Sequence, residues 1–210
     1  YSDGYLVFPA VNSSFNVNVQ ARMLKLFYIT VRTNNGAGKT SRTGFSAHEL
    51  SKTDLIATPS PGYQFLCWTE GATLENYGTV VNKNAAFFYE ASSDITLYAN
   101  FGEADRAYML YHANGGKVAN SDRDVLYSTF SLAVYIYPNA IADLGTFTRD
   151  GHTLLEYAET PDGKGVAVNP GGKLINYNGG LLELWAVWSQ WTPAKDFTYV
   201  KSGSSARITG

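Results

Sequence analysis

The chain has 210 residues, a formal net charge of -2, 14% aromatic and 16% charged residues. Its charged fraction lies well below the roughly 25% of a typical soluble domain, so enough apolar material is present for packed cores and intrinsic disorder is excluded. No lysine or arginine run forms the basic surface that nucleic acid or an anionic membrane requires, and no apolar run approaches the ~18 residues of a spanning helix.

Cysteine usage and the first residues bear on the origin of the chain. Cys67 is the single cysteine, so the chain forms no internal disulfide and gives no redox compartment. Residues 1–4 carry neither an initiator methionine nor a signal-peptide pattern. We therefore interpret the chain as a piece of a longer protein.

One seven-residue pattern recurs three times and organises the chain. It occupies 17–23, 95–101 and 182–188, and in each copy the first, third, fifth and seventh residues are apolar. Such alternation is typical of a strand with one dry face. The fifth residue is always alanine, and these alanines are 78 residues apart (21 to 99) and then 87 apart (99 to 186). We expect three closing strands and hence an array of repeated units.

The strands of the first full unit are predicted from β-branched and aromatic runs between turn signals. In chain order the runs are 27–31, then 55–58 and 63–68 around a Pro/Gly turn, then 85–89 and the closing strand. Residues 69–84 are a polar excursion. Over 63–68, strict alternation places Tyr63, Phe65 and Cys67 on one face. It places Leu66 and Trp68 on the other.

The second full unit follows the same order. Its opening strand is 108–112, its turn is 113–116, and 151–157 matches 62–68 position for position. The extra length lies mostly before Gly151, where 126–142 alternates as a strand although 139–144 also fits a helical turn.

The last residues, 197–210, are predicted to form a short hairpin that begins a further domain.

Several motifs invite a chemical reading that their context does not favour. Gly38-Lys39-Thr40 ends like a phosphate-binding loop, but Thr33 stands where that loop needs its first glycine, so we favour a hairpin turn. Cys67 lies within a strand and is expected to be a buried apolar thiol. The three histidines, His48, His112 and His152, lack the spacing of a metal site.

Two oxygen-rich turns, 122–124 and 160–163, leave calcium binding open, but neither contains the ladder of acidic residues of a dedicated calcium loop. Residues 12–14 match a glycosylation acceptor, which we interpret as a turn. No catalytic residues are identified, and neither a cofactor nor a metal is expected.

Fifteen tyrosines and four tryptophans exceed what three small cores require. Tyr98 and Trp185 lie on the strand face opposite the repeated alanines, which makes them the candidate ligand-binding aromatics. An exposed aromatic strip would stack on sugar rings or anchor a protein partner. The alternative, which we favour, is that the rest of the same unit covers this face.

Separated motifs in the second full unit together resemble the Listeria–Bacteroides repeat, the B-repeat of internalin-type surface proteins. In order, they are 108–116, 149–157, Thr160 to Gly165, Asn169 to Gly172 and 184–188. Residues 27–101 resemble a divergent form of the repeat, 1–23 its tail, and 197–210 the start of the leucine-rich repeats of bacterial surface antigens. The chain departs from the family at Cys67 and Glu156, where glycine is usual, and at His152 and Tyr157, where an aromatic pair is usual.

The resemblance implies a mainly β fold, with α+β as the open alternative, built from tandem small β-grasp-like domains in an elongated array. The domains would be 1–23, 24–104, 105–190 and a linker with hairpin at 191–210. It further implies a monomeric, non-catalytic spacer and interaction module on the outside of a Gram-positive-like bacterium, at the cell surface or cell wall. Its expected partner is a host extracellular protein or glycan. The alternative function is a carbohydrate-binding accessory module of a secreted enzyme.

Overall fold

The computed structural model describes residues 23–49, 51–132, 141–143, 145–172 and 177–189, together with the backbone of 198–202 and 205–209. The predicted mainly β fold is confirmed. Within these residues the helical structure is one 3-10 turn, Leu74–Asn76, so the α+β alternative finds no α-helix there. No helix in this part of the chain is long and apolar enough to cross a membrane.

Seventeen strands are present in the described residues. In the first half they are β1 Leu26–Thr33, β2 Gly38–Thr40, β3 Gly44–His48, β4 Lys52–Pro59, β5 Tyr63–Glu70, β6 Thr79–Asn82, β7 Ala86–Glu90 and β8 Ile95–Glu103. In the second half they are β9 Arg106–His112, β10 Lys117–Val118, β11 Val125–Ser131, β12 Phe147–Thr148, β13 Leu154–Ala158, β14 Ala167–Val168, β15 Leu181–Trp188, β16 Thr198–Ser202 and β17 Ser205–Thr209.

Two five-stranded mixed sheets carry the architecture. The first sheet has the order β3-β1-β8-β5-β6 and the second β11-β9-β15-β13-β14. In each, the opening strand runs parallel to the closing strand, β1 to β8 and β9 to β15, and the other pairings are antiparallel. The two sheets therefore share strand order and strand direction.

Each sheet buries its inner face as the alternation predicted. Leu97, Ala99 and Phe101 of β8 lie in the core of the first unit, which the three-stranded sheet β2-β4-β7 covers from the other side. Leu184, Ala186 and Trp188 of β15 lie in the core of the second. A glycine approaches the last aromatic of each closing strand, because a Cβ on Gly38 would lie 2.5 Å from the Phe101 ring, and one on Gly116 equally close to that of Trp188.

The predicted face assignment of β5 is wrong at Cys67, because the strand contains a β-bulge. Its pairing with β8 shifts register between Phe65 and Cys67. An extra residue inverts the alternation beyond it, so Trp68 joins Phe65 in the first core. Leu66 and Cys67 consequently both lie on the outer face of the sheet.

Some predictions fall outside the described residues. These are the partial unit at 1–22 with its 12–14 turn, and half of the alternative helical turn at 139–144. The predicted C-terminal hairpin is confirmed, since β16 and β17 pair antiparallel from Thr198 opposite Thr209 to Ser202 opposite Ser205. Residues 69–84, expected as a polar excursion, contain the 3-10 turn and β6.

Two buried tryptophans differ in their hydrogen bonds, which predicts unequal costs of the same substitution. Nε1 of Trp188 donates to the Ala113 carbonyl at 2.8 Å, whereas Nε1 of Trp68 has no partner among the described residues. Trp188→Phe removes a buried hydrogen bond, although the Ala113 carbonyl still accepts from the Gly116 amide at 3.0 Å. Trp68→Phe removes only a buried donor that has no partner among the described residues. We expect Trp188→Phe to lower the free energy of unfolding by about 1–2 kcal/mol more than Trp68→Phe.

Denaturant titration of both variants, followed by far-UV circular dichroism, measures this difference. An equal or larger loss for Trp68→Phe would contradict the prediction.

Candidate functional site

A third apolar cluster joins the two sheets through their outer faces. The first sheet and its 3-10 turn contribute Leu66, Cys67 and Leu74, and the second sheet contributes Tyr108, Leu110 and Leu181. Strands β8 and β9 are separated by two residues, so the connection between the sheets is short. The two sheets thus pack against each other beside this short connection.

Close contacts and hydrogen bonds reinforce this junction. A Cβ on Gly102 would lie 2.2 Å from the ring of Tyr108, so only glycine lets these segments approach. The side chain of Gln64 donates to the carbonyls of Glu103 (3.0 Å) and Arg106 (2.8 Å) and accepts from the Gly180 amide at 2.6 Å. One side chain of β5 therefore binds backbone from both halves of the chain.

A buried amide holds the 3-10 turn against the first sheet. Asn100 is 0% exposed, and its Oδ1 accepts from the Leu74 amide at 2.8 Å. Its Nδ2 donates to Thr69 Oγ1 at 2.9 Å and to the Cys67 carbonyl at 3.3 Å. Because Leu74 reaches the cluster between the sheets, Asn100 positions one part of that junction.

Beside the apolar cluster the two sheets diverge and leave a cleft of about 450 Å³, called here the inter-sheet cleft. One wall is the segment 77–80, which runs from the 3-10 turn into β6. The facing wall consists of Leu110, His112, Asp124, Val125, Glu183 and Trp185. Apolar and charged groups from both halves therefore meet in one place.

Trp185 forms an aromatic stack on this wall. Its ring lies parallel to the imidazole of His112, with ring centroids 4.5 Å apart and 7° between the planes. The two residues are direct partners in the parallel pairing of β15 with β9. The stack therefore follows from the register of the central strands.

Glu183 is the charged centre of the same wall. Its side chain is 10% exposed and accepts from His112 Nε2 at 3.0 Å, while Lys83 Nζ of the first unit lies 3.3 Å away. Burial by itself raises the pKa of Glu183, but the hydrogen bond from His112 and the charge of Lys83 outweigh it and leave the pKa below its ordinary value. The ionised carboxylate thus joins the two halves.

The opposite wall carries a second tie between the halves. Arg123 Nη1 donates to the Tyr77 hydroxyl at 3.0 Å, and its guanidinium lies 4.5 Å from the centre of the Tyr77 ring. Tyr77 has a φ of 61°, a left-handed conformation that closes the 3-10 turn. This contact lies beside the cleft wall that 77–80 provides.

Tyr98, the other candidate aromatic, occupies the position in β8 that Trp185 occupies in β15. It is half-buried and pairs with Arg32 of β1 and Thr69 of β5. Only Trp185 of the two lines the inter-sheet cleft. The structure places both on the outer faces, as expected, without bringing them together in one pocket.

The remaining candidate residues have structural surroundings. The hairpin turn predicted for Gly38-Lys39-Thr40 is wrong, because these residues lie in strand β2 and pair with β4. They begin no helix, so they do not form a phosphate-binding loop. Cys67 is fully buried, which raises the pKa of its thiol. His152 Nδ1 contacts the Asp150 carbonyl at 2.8 Å, apart from the His112 site.

The oxygen-rich turns are tied by ion pairs. Asp122 contacts Lys117 at 3.0 Å and Asp162 contacts Lys164 at 2.7 Å. In the part of the chain that the structure describes, no group of three or more His, Cys, Asp or Glu side chains is arranged to hold a metal ion.

Sequence reasoning missed most of the cleft. The alternation of β15 contained a signal, since Glu183 and Trp185 are two residues apart and so share a face. Their partners His112 and Lys83 could be found only with the strand register and the contact between the sheets. Residues 77–80 fell within the segment described as a polar excursion.

Comparisons with known proteins do not assign the chain to a family. No protein-family model and no curated protein matches the chain. The likeness to the Listeria–Bacteroides repeat therefore stays a prediction from the motifs, and a function must be argued from the geometry of the described residues.

The lowered pKa of Glu183 predicts a pH dependence of stability. Because the native carboxylate holds its proton less tightly than in the unfolded chain, its contribution is present above the ordinary value of 4.5 and is lost as pH falls through the lower native pKa. We expect the melting temperature of the unaltered chain to fall more steeply between about pH 5 and about pH 3 than that of Glu183→Gln.

Calorimetry over this pH range tests the expectation, with the exposed Glu159→Gln as the matched control. If the melting temperatures of Glu183→Gln and the unaltered chain fall equally with pH, Glu183 makes no pH-dependent contribution to stability.

Proposed function

We propose that this chain is a non-catalytic spacer and interaction segment of an extracellular bacterial surface protein. It holds neighbouring domains at a set separation and presents the inter-sheet cleft to a host protein or glycan. The motifs shared with the Listeria–Bacteroides repeat support the bacterial and extracellular parts of this proposal. The mixed sheets with parallel central strands are compatible with the β-grasp type that the resemblance implies.

The observation that carries the proposal is the apolar cluster between the two sheets. Two small domains on a flexible linker transmit little orientation, because each moves independently. Here a two-residue connection and a shared set of buried side chains resist bending of one sheet against the other. A spacer needs this property more than it needs any reactive group.

The recognition role is supported by the cleft beside that junction. Trp185 and Tyr77 supply aromatic surface, while His112, Glu183 and Asp124 supply polar groups. Sites that bind small ligands combine apolar walls with a few placed polar groups. Because the walls come from both halves, the cleft depends on the stiffness of the junction.

The spacer role predicts that one charge at the junction uncouples the two halves. Leu110 is buried in the cluster, so Leu110→Asp would place a carboxylate without a partner among apolar groups. Each sheet keeps its own core, and we therefore expect the single calorimetric transition of the unaltered chain to split into two. The control is Leu155→Asp, at an exposed leucine of β13.

Two transitions already present in the unaltered chain would contradict the spacer role, as would a Leu110→Asp variant that melts like the control.

The recognition role predicts direct binding by the 210-residue chain. In a screen against host extracellular proteins and glycans, we expect a saturable complex with a micromolar or tighter Kd. Loss of the stacking surface in Trp185→Ala should weaken it by about 10-fold or more. Tyr98→Ala is the matched comparison, since Tyr98 has the equivalent position in the other closing strand but does not line the cleft.

Equal losses in both variants would place the binding face elsewhere than the cleft. No binding across the panel would remove the recognition role and leave the spacer.

The alternative is a carbohydrate-binding accessory module of a secreted enzyme. The stack of Trp185 on His112 favours it, because sugar rings bind to aromatic surfaces bordered by hydrogen-bonding groups. Glycan binding without any protein binding in the same screen, together with a hydrolase domain in the full gene, would support this alternative over the surface spacer.

A further inference from the structure

We propose that Arg149 forms a second binding site, for the carboxylate of an acidic sugar, at the loop end of the second sheet. This site is separate from the inter-sheet cleft and does not depend on the function proposed above. It lies in a cleft of about 320 Å³, called here the loop-end cleft. Its polar lining includes Asn114, Arg149, His152 and Asp162, and its apolar lining includes Val187 and Trp188.

The guanidinium of Arg149 lies flat over a glycine turn. A Cβ on Gly115 would lie 3.4 Å from Cζ, 3.4 Å from Nη1 and 3.6 Å from Nη2 of Arg149. Three nearly equal distances mean that the guanidinium presents its face to the turn. Its N–H donors therefore point sideways, and the fork they form matches both oxygens of a carboxylate.

Within the described part of the chain, these donors have no protein partner. Arg149 is partly buried and makes no ion pair or side-chain hydrogen bond with the described residues. Three other arginines are engaged: Arg42 pairs with Asp54, Arg106 bonds Thr129, and Arg123 bonds Tyr77. Arg32 has no such partner among the described residues either, but it is exposed on strand β1. A partly buried, unpaired guanidinium beside a cleft is suited to an anionic ligand.

The charges around Arg149 select a single carboxylate at one edge. Arg149 also lines a separate cleft of about 290 Å³ that contains Lys117 and Asp150. Lys117 is already paired with Asp122 at 3.0 Å, so the charge of Asp150 opposes an anion there. In the loop-end cleft the acidic group is Asp162, which Lys164 neutralises at 2.7 Å. One carboxylate is accepted on this side, whereas a polyanion would also meet Asp150.

The same cleft offers acceptors for hydroxyl groups. His152 Nδ1 lies 2.8 Å from the Asp150 carbonyl, which can only accept, so Nδ1 carries the proton. In the neutral ring, Nε2 is then an acceptor. Asn114 uses its Nδ2 on the carbonyls of Pro161 and Ala186, which directs its amide oxygen to other donors. The guanidinium of Arg149 and these two acceptors together complement a ligand that has one carboxylate and several hydroxyl groups.

The test is an NMR titration of the whole chain with glucuronate, with glucose and acetate as the two half-ligands. We expect glucuronate to cause saturable chemical-shift changes at the amides of 114–117 and 148–152. Glucose and acetate should each bind at least about 10-fold more weakly than glucuronate. Arg149→Gln should weaken glucuronate binding by about 10-fold or more, and Arg149→Lys by less, because lysine keeps the charge and loses the fork.

Arg42→Gln, at an exposed arginine that already has a carboxylate partner, is the matched control and should bind glucuronate as the unaltered chain does. The melting temperature of Arg149→Gln should stay close to that of the unaltered chain, since no hydrogen bond or ion pair with the described residues is lost. Acetate binding as tight as glucuronate would overturn the sugar class. Unchanged binding by Arg149→Gln, or no saturation, would overturn the site.

Discussion

The contact between the outer faces of the two sheets is the interaction on which the rest of the structure depends. A half-buried antiparallel or mixed sheet normally leaves its second face to water. Here the bulge in β5 places Leu66 and Cys67 side by side on that face, opposite Tyr108 and Leu110 of the second sheet. Without the bulge, Cys67 would point into the first core. Strand β5 would then contribute only Leu66 to this apolar surface.

The contacts that cross the inter-sheet cleft depend on that junction. The buried amide of Asn100 holds Leu74 in the junction, and three residues later Tyr77 begins the cleft wall. Across the cleft, Lys83 reaches the buried carboxylate of Glu183. A chain of contacts thus runs from a satisfied, buried polar group on the outer side of the first sheet to the charged wall of the other half. The cleft therefore keeps its shape only while the sheets stay together.

The alternation in the sequence was enough to predict the long central strands and the inner faces of the closing strands, because a period of two needs only local information. It did not predict short strands such as β2, β3 and β6, and it placed Trp68 on the wrong face of β5. It was not enough for the outer faces. Leu110 and His112 both point outward in β9 and both line the cleft, but only Leu110 is also buried against the first unit. This difference depends on partners far away in sequence. The bulge at Cys67 has no local signature, and the site around Arg149 depends on a turn whose glycine was noted only as a turn residue.

The two sheets share their strand order but not the chemistry of their outer faces. Register places Tyr28 of β1 where Tyr108 stands in β9, yet Tyr28 is 62% exposed and Tyr108 5%. The first unit contributes its β5 side to the junction and the second its β9 side, so the contact is head-to-tail rather than symmetric. Head-to-tail contacts give an array a direction. In this molecule it is the side chains on matching strands, more than the strands themselves, that decide which face is covered.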